Sequence, residues 1–273
     1  MRDVSVRKME DRGMRRRYVF FDVDGTLVSH VGESHIPPET REAVRLLKER
    51  GHVPAIATGR GAFLTRSVAE ELGIGLLVCA GGAHILAEGR TLEISWLSET
   101  ALASFRETTE EWPDITAALD DRFLYTGRKG AEFRGYFEAQ AGYPCVRPCR
   151  EMRRALLVCL MAPPPLPEGY GLFSSPPPDV VLEPMQHFVE ARAGGTSKWE
   201  GIRRVMEHLR APLEDVVAFG DGPNDVEMLR RAAVGVAVGR ASEEAKDAAS
   251  LIAGDIDEGG ILGACAGLGL IPS

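Results

Sequence analysis

Short apolar runs alternate with amphipathic segments near both ends of the chain, and this alternation restricts the possible folds more than any other feature of the sequence. In the N-terminal part, strands are predicted at 18–21, 53–57 and 76–79, separated by helices over 39–50 and 64–72. After residue 215, strands are predicted at 216–219, 234–238 and 251–253, separated by helices over 226–233 and 243–249. Repeated strand–helix alternation is typical of a parallel sheet with helices on both faces, so we predict an α/β fold.

The segment between these two regions, residues 84–192, has a different pattern and is predicted to be an inserted α+β domain. It contains a predicted strand at 155–161 and a predicted β-hairpin over 180–192 that turns around Pro184. Seven prolines lie between Pro163 and Pro178, which excludes a regular helix there and predicts a stiff surface connection. The core domain is then divided into residues 15–83 and 193–273.

The composition of the chain excludes several classes of protein. With 44% hydrophobic and 26% charged residues, it is neither a disordered nor a collagen-like chain. No apolar run approaches the ~18 residues of a membrane-spanning helix, and a net charge of −8 argues against a nucleic-acid-binding surface. The five cysteines are odd in number and lack C-x-x-C spacing, so we expect no disulfide framework and a cytoplasmic location. The sequence does not indicate an oligomeric state.

Residues 1–17 are the one compositional anomaly. They contain seven basic and three acidic residues, which gives this segment a net charge of +4. No apolar stretch of the kind found in secretion signals follows it. Because chain termini are usually poorly ordered, we predict a disordered basic extension.

Two carboxylates, Asp22 and Asp24, follow the first predicted strand, and Gly25 then permits a sharp turn. Ligands bind at this C-terminal edge of the sheet in folds of this class. On an extended strand, two side chains at this spacing would point the same way and repel each other unless a cation lay between them. An oxygen-ligated ion such as Mg²⁺ would fit, and an ordinary surface turn rich in Asp and Gly is the alternative.

Two further segments offer hydrogen-bond donors to an anion. Thr58 and Gly59 follow the second strand and precede a helix, where hydroxyl and backbone N–H groups can bind a phosphate oxygen. A simple N-cap threonine is the alternative. Lys198 lies in the first turn of a helix that begins with the capping-box pair Ser197 and Glu200. A cation there opposes the helix dipole, which makes sense if it balances anionic charge at a site, although a solvated lysine is the default.

The fourth segment, residues 219–225, follows the strand predicted at 216–219 and contributes Asp221, Asn224 and Asp225. Its composition alone is also that of an ordinary turn. All four segments lie at a strand end or a helix start, and their side chains are chemically complementary. We therefore interpret them as parts of one site.

In this order and at these intervals, the four segments resemble the motifs of the haloacid dehalogenase superfamily of phosphotransferases, over the region from about Tyr18 to Ile271. The inserted domain resembles the α+β cap of the Cof-type, class IIB phosphatases, and the segment 236–246 is similar to that subgroup too. The resemblance implies a Rossmann-like core with a cap. It also implies a phosphatase whose substrate is a small phosphorylated metabolite, such as a sugar phosphate.

The resemblance further implies a role for each motif residue. Asp22 would be the nucleophile that forms an aspartyl-phosphate, and Asp24 would be the general acid and then the general base. The transferring phosphoryl group would be held by Thr58, Gly59, Lys198 and Asn224. Mg²⁺ would be bound by Asp22, the main-chain carbonyl of Asp24, Asp221 and Asp225. Candidate substrate contacts in the cap are Arg122, Arg128, Lys129, Arg134, His187 and Arg192.

The chain departs from the family pattern at four places. Gly81 replaces the usual asparagine of an Asn-Gly-Ala turn, Trp199 replaces the glycine after the motif lysine, and Arg240 replaces an asparagine after Gly239. The proline-rich stretch occupies the place of an expected cap helix. None of these changes removes a catalytic group, but the three substitutions are expected to reshape the rim of the site.

Two other functions are compatible with the motifs. One is a phosphomutase or phosphotransferase of the phosphomannomutase type, which would release little phosphate. The other is a non-hydrolytic phospho-acceptor similar to a response regulator, although an acid–base residue at position 24 and a large cap count against it. A binding module without catalysis is disfavoured, because every catalytic position is filled.

Overall fold

The computed structural model of the protein describes residues 15–113, 115–127, 134–162, 171–185 and 188–273. Within these ranges the chain forms fourteen strands and eight α-helices. The strands are β1 (Tyr18–Phe21), β2 (Val53–Ala57), β3 (Leu76–Cys79), β4 (His84–Ala87), β5 (Arg90–Ile94), β6 (Thr116–Leu119), β7 (Leu124–Thr126), β8 (Val146–Pro148), β9 (Leu157–Leu160), β10 (Val180–Pro184), β11 (Val189–Ala193), β12 (Val216–Gly220), β13 (Val234–Ala237) and β14 (Leu251–Ile252). The helices are α1 (Pro38–Glu49), α2 (Ala62–Leu72), α3 (Glu99–Glu111), α4 (Arg134–Ala141), α5 (Lys198–His208), α6 (Val226–Arg231), α7 (Glu243–Ala248) and α8 (Gly260–Gly267).

The first sheet has the strand order β14-β13-β12-β1-β2-β3-β4-β5. All pairs from β14 to β3 are parallel, whereas β4 pairs antiparallel with both β3 and β5. From β1 the chain proceeds outward through β2 and β3, and it later returns on the other side through β12, β13 and β14. The strand order therefore reverses between β1 and β12, and in open α/β sheets ligands bind at the carboxyl ends of the strands at such a point.

Helices cover both faces of this sheet, as the alternation in the sequence predicted. Phe21 packs with Val44 and Leu47 of α1 on one face, while the adjacent Phe20 packs with Ile202 and Val205 of α5 on the other. Successive side chains of a strand point to opposite faces, so a strand buried on both faces is apolar at every position. This explains why the predicted strands were continuous apolar runs.

Pro54 is accommodated near the start of β2. Its part of the strand pairs only with β1, and pairing with β3 begins at Ile56. The proline, which has no N–H, therefore lies in the part of β2 that does not yet pair with β3. This agrees with the expectation that it lies near the start of the strand.

The second sheet is mainly antiparallel, with the order β10-β11-β9-β6-β7-β8 and one parallel pair, β7 with β8. Helix α3 packs against it through Leu102 and Phe105. The predicted hairpin is confirmed as β10 and β11, but Pro184 ends β10 instead of forming the turn. Because β10 is an edge strand, it tolerates a residue without an N–H.

The structure differs from the sequence expectations in two places in the middle of the chain. Residues 84–94, expected in the insertion, form β4 and β5 and extend the first sheet, because β4 folds back antiparallel on β3. In the proline-rich stretch, Leu172 and Phe173 are buried against the second sheet, so this part is not a purely surface connection. Residues 163–170 of that stretch, and residues 1–14 of the basic N-terminal segment, lie outside the described residues. In the described part of the chain, no helix has the length and apolar composition needed to cross a membrane.

Trp199 belongs to the apolar core and not to the rim of a site. It is the second residue of α5, it is 3% exposed, and it packs in the same cluster as Phe20 and Ala55 of the sheet. The expectation that this residue reshapes the rim was therefore wrong: its bulk fills the space between helix and sheet.

We expect Trp199→Ala to lower the free energy of unfolding by roughly 3–5 kcal/mol, because it removes a large buried side chain and leaves a cavity. Leu209→Ala, at the end of the same helix, is a matched control, because Leu209 is 40% exposed. Urea unfolding of the three proteins measures the difference. A loss for Trp199→Ala no greater than that of the control would contradict the assignment to the core.

Candidate active site

Three of the four sequence motifs meet at the carboxyl ends of β1, β2 and β12. The remaining motif, which contains Lys198, begins α5 beside them. Asp22 continues the sheet beyond β1, with its backbone N–H bonded to the carbonyl of Phe219 at 2.9 Å. Thr58 continues it beyond β2, with its N–H bonded to the carbonyl of Val78 at 2.8 Å. The sheet therefore fixes the backbone from which each functional side chain projects.

Lys198 connects two of the motif carboxylates directly. Its Nζ donates hydrogen bonds to Oδ1 of Asp22 and to Oδ1 of Asp225, both at 2.7 Å. The three side chains are 3%, 9% and 0% exposed, so this ion cluster is almost completely removed from water. The lysine begins α5 behind the N-cap Ser197, whose hydroxyl accepts a hydrogen bond from the N–H of Glu200. Its unfavourable position in the first turn is offset by the two carboxylates.

The cluster carries more negative than positive charge, and the pKa values reflect this. Burial raises the pKa of Asp22 well above its usual range; Lys198 opposes this effect, but the charges of Asp225 and Asp221 add to it. Burial also raises the pKa of Asp221 to about 6, helped by the charge of Asp225. For Lys198, burial would lower the pKa, but the two carboxylates raise it, so the ammonium stays charged.

Asp22, Asp221 and Asp225 form an acidic cluster that could hold a metal ion. Each offers a carboxylate oxygen, and these atoms lie within 4.8 Å of one another. Oδ2 of Asp225 accepts hydrogen bonds from the N–H groups of Asp221 and Gly222, at 3.0 and 2.9 Å, and Thr26 donates to Oδ1 of Asp221 at 2.8 Å. The oxygen-only donor set, fixed in this way, fits a hard divalent cation.

Gly25 is required for this arrangement. Its φ is +82°, and a Cβ atom at this position would lie 2.3 Å from Oδ2 of Asp221. A larger residue would both strain the backbone and push this carboxylate out of the cluster.

The carboxylate of Asp24 has cationic partners of its own beside the acidic cluster. Arg60 donates to it twice, from Nε to Oδ2 at 2.8 Å and from Nη2 to Oδ1 at 2.6 Å, and Nε2 of His30 lies 2.8 Å from Oδ1. Burial would raise the pKa of Asp24, but Arg60 and His30 outweigh it and lower the pKa below its usual value. The expectation that the two side chains point the same way assumed an extended strand, but β1 ends at Phe21, and the two carboxylates have different partners: Lys198 for Asp22, and Arg60 and His30 for Asp24.

The sequence analysis did not assign a role to Arg60 or His30. Arg60 directly follows Thr58 and Gly59, so the motif already contained the signal. Its Nη1 also lies 3.3 Å from Oε1 of Gln140 on α4, which connects the two parts of the molecule. His30 carried no comparable signal, because only the turn after β1 brings it to Asp24.

Thr58, Gly59 and Asn224 lie around a common space. Thr58 is buried, and its hydroxyl accepts a hydrogen bond from the N–H of Arg60. A Cβ atom at Gly59 would lie 3.9 Å from Nδ2 of Asn224 and 3.8 Å from Oε1 of Glu190. The second and fourth motifs therefore approach each other here, together with a carboxylate from β11 that the sequence analysis missed.

The candidate cap residues differ in their positions. Arg192 is buried: it donates from Nε to the carbonyl of Thr196 at 2.9 Å and pairs with Glu183. Arg122 is exposed over the ring of Phe123, and Arg134 is exposed and pairs with Glu138. Arg128, Lys129 and His187 lie outside the described residues.

Comparison with known proteins identifies the family. A model of the haloacid dehalogenase-like hydrolase family matches residues 19–138 and 176–264. The chain belongs to this family. The Bacillus subtilis (strain 168) protein named "Putative phosphatase YkrA" is 30% identical over 264 residues, which cover 94% of this chain and 100% of that protein. Phosphatase YwpJ of the same organism is 25% identical over 281 residues, with 90% and 97% covered.

Solved structures agree with this assignment. The haloacid dehalogenase subclass IIB sugar phosphatase BT4131 has a TM-score of 0.80 and 26% identity, with 93% of this chain and 100% of that chain covered. The protein is therefore a phosphatase of the haloacid dehalogenase type, and the predicted Rossmann-like core is confirmed.

Two departures from the family pattern have a structural explanation. Gly81 has a φ of +59°, and a Cβ atom there would lie 3.3 Å from Cδ of Arg192. The side chain of Arg192 thus occupies the space into which an asparagine at position 81 would project. Arg240 is two-thirds exposed and pairs with Asp255 and Asp257, neither of which belongs to the four motifs.

Lys198→Met should lower the free energy of unfolding by roughly 3–5 kcal/mol in metal-free buffer, because it leaves buried carboxylates without their cation. Adding Asp22→Asn to this variant should recover part of the loss, since it removes one of the repelling charges. Lys246→Met, which breaks a surface pair with Glu243, is the control and should change stability by less than about 1 kcal/mol.

Denaturant unfolding with EDTA present measures five proteins: the wild type, these three variants and Asp22→Asn alone. A Lys198→Met variant as stable as the control, or a double variant that loses the full sum of both single effects, would show that the cluster is not electrostatically coupled.

Proposed function

We propose that this phosphatase is Mg²⁺-dependent and hydrolyses a small phosphorylated metabolite, of the sugar phosphate class or similar, through an aspartyl-phosphate on Asp22. The observation that carries the proposal is the position of Asp22. It lies at the point where the strand order reverses, bonded to a buried lysine and next to two further carboxylates. The similarity to a subclass IIB sugar phosphatase supports the substrate class.

The acidic cluster supports the proposed metal dependence. Asp22, Asp221, Asp225 and the main-chain carbonyl of Asp24 would hold Mg²⁺, which supplies positive charge to the phosphoryl oxygens when it is bound. The raised pKa of Asp22 belongs to the protein without a cation. An adjacent divalent charge favours the ionised carboxylate, which is the form that attacks phosphorus.

Side-chain and backbone groups of the chain would bind the phosphoryl group, attack phosphorus and transfer the protons. The hydroxyl of Thr58, the N–H of Gly59, the amide of Asn224 and the ammonium of Lys198 hold the transferring phosphoryl group. An oxygen of Asp22 forms a bond to phosphorus while the ester P–O bond breaks, and Asp24 gives its proton to the leaving oxygen. Asp24 then takes a proton from water, which attacks phosphorus and releases Asp22.

Arg60 controls the availability of Asp24 in this scheme. The two hydrogen bonds from its guanidinium fix the carboxylate in place and favour its ionised form. The general acid must carry a proton, so Arg60 sets the pH range in which Asp24 can act.

The five cysteines, all within the described residues, are unpaired, and four of them are buried. This supports our proposal that the substrate is a metabolite of the reducing cytoplasm.

A panel of phosphorylated metabolites assayed with Mg²⁺ tests the proposed function. We expect phosphate release that is lost on addition of EDTA and falls at least about 10³-fold in Asp22→Asn, because the nucleophile is gone. Asp247→Asn, an exposed carboxylate on α7, should keep full activity. Activity in EDTA or in Asp22→Asn would contradict the mechanism, and transfer of phosphate between substrate hydroxyls without release would identify a mutase instead.

Arg60→Gln should move the alkaline limb of the kcat/KM profile to higher pH. This limb reports loss of the proton from Asp24, and removal of the guanidinium raises the pKa of that carboxyl. kcat should also fall by about 10-fold or more, because Asp24 is no longer held in place. Arg66→Gln, an exposed arginine on α2, is the matched control. An unchanged alkaline limb in Arg60→Gln would show that Arg60 does not control the protonation of Asp24.

A further inference from the structure

Glu190 is a buried carboxylate to which the mechanism above assigns no role. It lies in the middle of β11, between Glu183 of β10 and Cys159 of β9 in the sheet register, and only 7% of the residue is exposed. Within the described part of the chain, its carboxylate takes part in no hydrogen bond or ion pair. Its oxygens are not among the water-excluded polar atoms without a partner in the described residues, so they reach the open space beside them with acceptor capacity that the chain does not use.

The carboxylate points to the space around Gly59. Oε1 of Glu190 lies 3.8 Å from the position that a Cβ atom at Gly59 would occupy, and Nδ2 of Asn224 lies 3.9 Å from the same point. Gly59 and Asn224 come from the first sheet and are proposed to hold the phosphoryl group. Glu190 therefore reaches the edge of this space from the second sheet.

The neighbouring cation is already engaged. Arg192, two residues further along β11, pairs with Glu183 and donates to the carbonyl of Thr196. Burial, only partly opposed by the charges of Arg192 and Lys198, raises the pKa of Glu190 to about 7. The protein thus keeps a mostly buried carboxyl group with unused acceptor capacity, which a hydrogen-bond donor would fill.

The chemistry of the site limits what this donor can be. A phosphate dianion has no proton to donate and repels an ionised carboxylate, so the phosphoryl group does not supply this donor. The organic part of a phosphate monoester begins at the ester oxygen, within reach of the same space. A hydroxyl group close to that oxygen would supply the missing donor.

We propose that Glu190 is a specificity-determining residue that accepts a hydrogen bond from a substrate hydroxyl one or two carbons from the phosphate ester. The proposal rests on the proposed function, because it assumes that Gly59 and Asn224 bind the phosphoryl group. It restricts the substrate to polyol or sugar phosphates with a free hydroxyl near the ester, and it disfavours alkyl phosphates of the same length.

A matched pair of ligands tests this directly. Glycerol 3-phosphate and n-propyl phosphate have the same chain length and charge, and they differ in their hydroxyl groups. Their inhibition constants are measured against p-nitrophenyl phosphate hydrolysis with Mg²⁺, in the wild type, Glu190→Met and Glu190→Gln. Glu183→Gln is the control, since it changes a carboxylate of the same sheet that is paired with Arg192.

In the wild type we expect glycerol 3-phosphate to bind about 10-fold more tightly than propyl phosphate, since the alkyl ligand leaves the buried acceptor unpaired. Glu190→Met should reduce this ratio to below about 3-fold, while Glu190→Gln, which keeps a carbonyl acceptor, should retain part of it. Glu183→Gln should keep the wild-type ratio. The ratio in each protein is independent of any general loss of activity.

A wild-type ratio near one, or a full ratio in Glu190→Met, would overturn the assignment. If the wild type hydrolyses none of the phosphorylated metabolites of the panel, the proposed function fails, and calorimetric binding of the same two ligands gives the ratio instead. The two failures are therefore distinguishable.

Discussion

The buried contact of Lys198 with Asp22 and Asp225 is the interaction on which the rest of the site depends. Carboxylates from two motifs converge because β1 and β12 are adjacent parallel strands that end at the same edge. One ammonium cannot neutralise them together with Asp221, so the cluster retains negative charge in a place with little water. Such a cluster is stable only with its lysine in place, and it is suited to receive a further cation.

The same local geometry gives two neighbouring aspartates opposite environments. Asp22 lies among other carboxylates, and burial raises its pKa, whereas Asp24 lies between Arg60 and His30, which lower its pKa. A separation of this kind assigns different chemical tasks to groups of the same type. Arg60 also connects the site to helix α4, because it contacts Gln140 there.

Residues whose positions carry no local signal were the ones that the sequence could not reveal. Thr58 and Lys198 could be predicted because a strand end and a capping pair mark their positions. The position of Glu190 could not be predicted, because its proximity to Gly59 depends on how β11 of the second sheet packs against the first sheet. Trp199 was misjudged for the same reason: whether a residue in the first turn of a helix lies at the rim or in the core depends on the surface the helix packs against.

The sequence by itself determined the alternation of strands and helices, the strand ends that carry the motifs, and the family to which the chain belongs. These properties depend on local periodicity and on short spacings, which are visible within a window of neighbouring residues. Only the tertiary structure decided that β4 and β5 extend the first sheet, that Arg60 binds Asp24, and that Glu190 lies near Gly59. Each of these outcomes depends on contacts between segments distant in sequence, because pairing, burial and electrostatic partners are settled only when the chain packs.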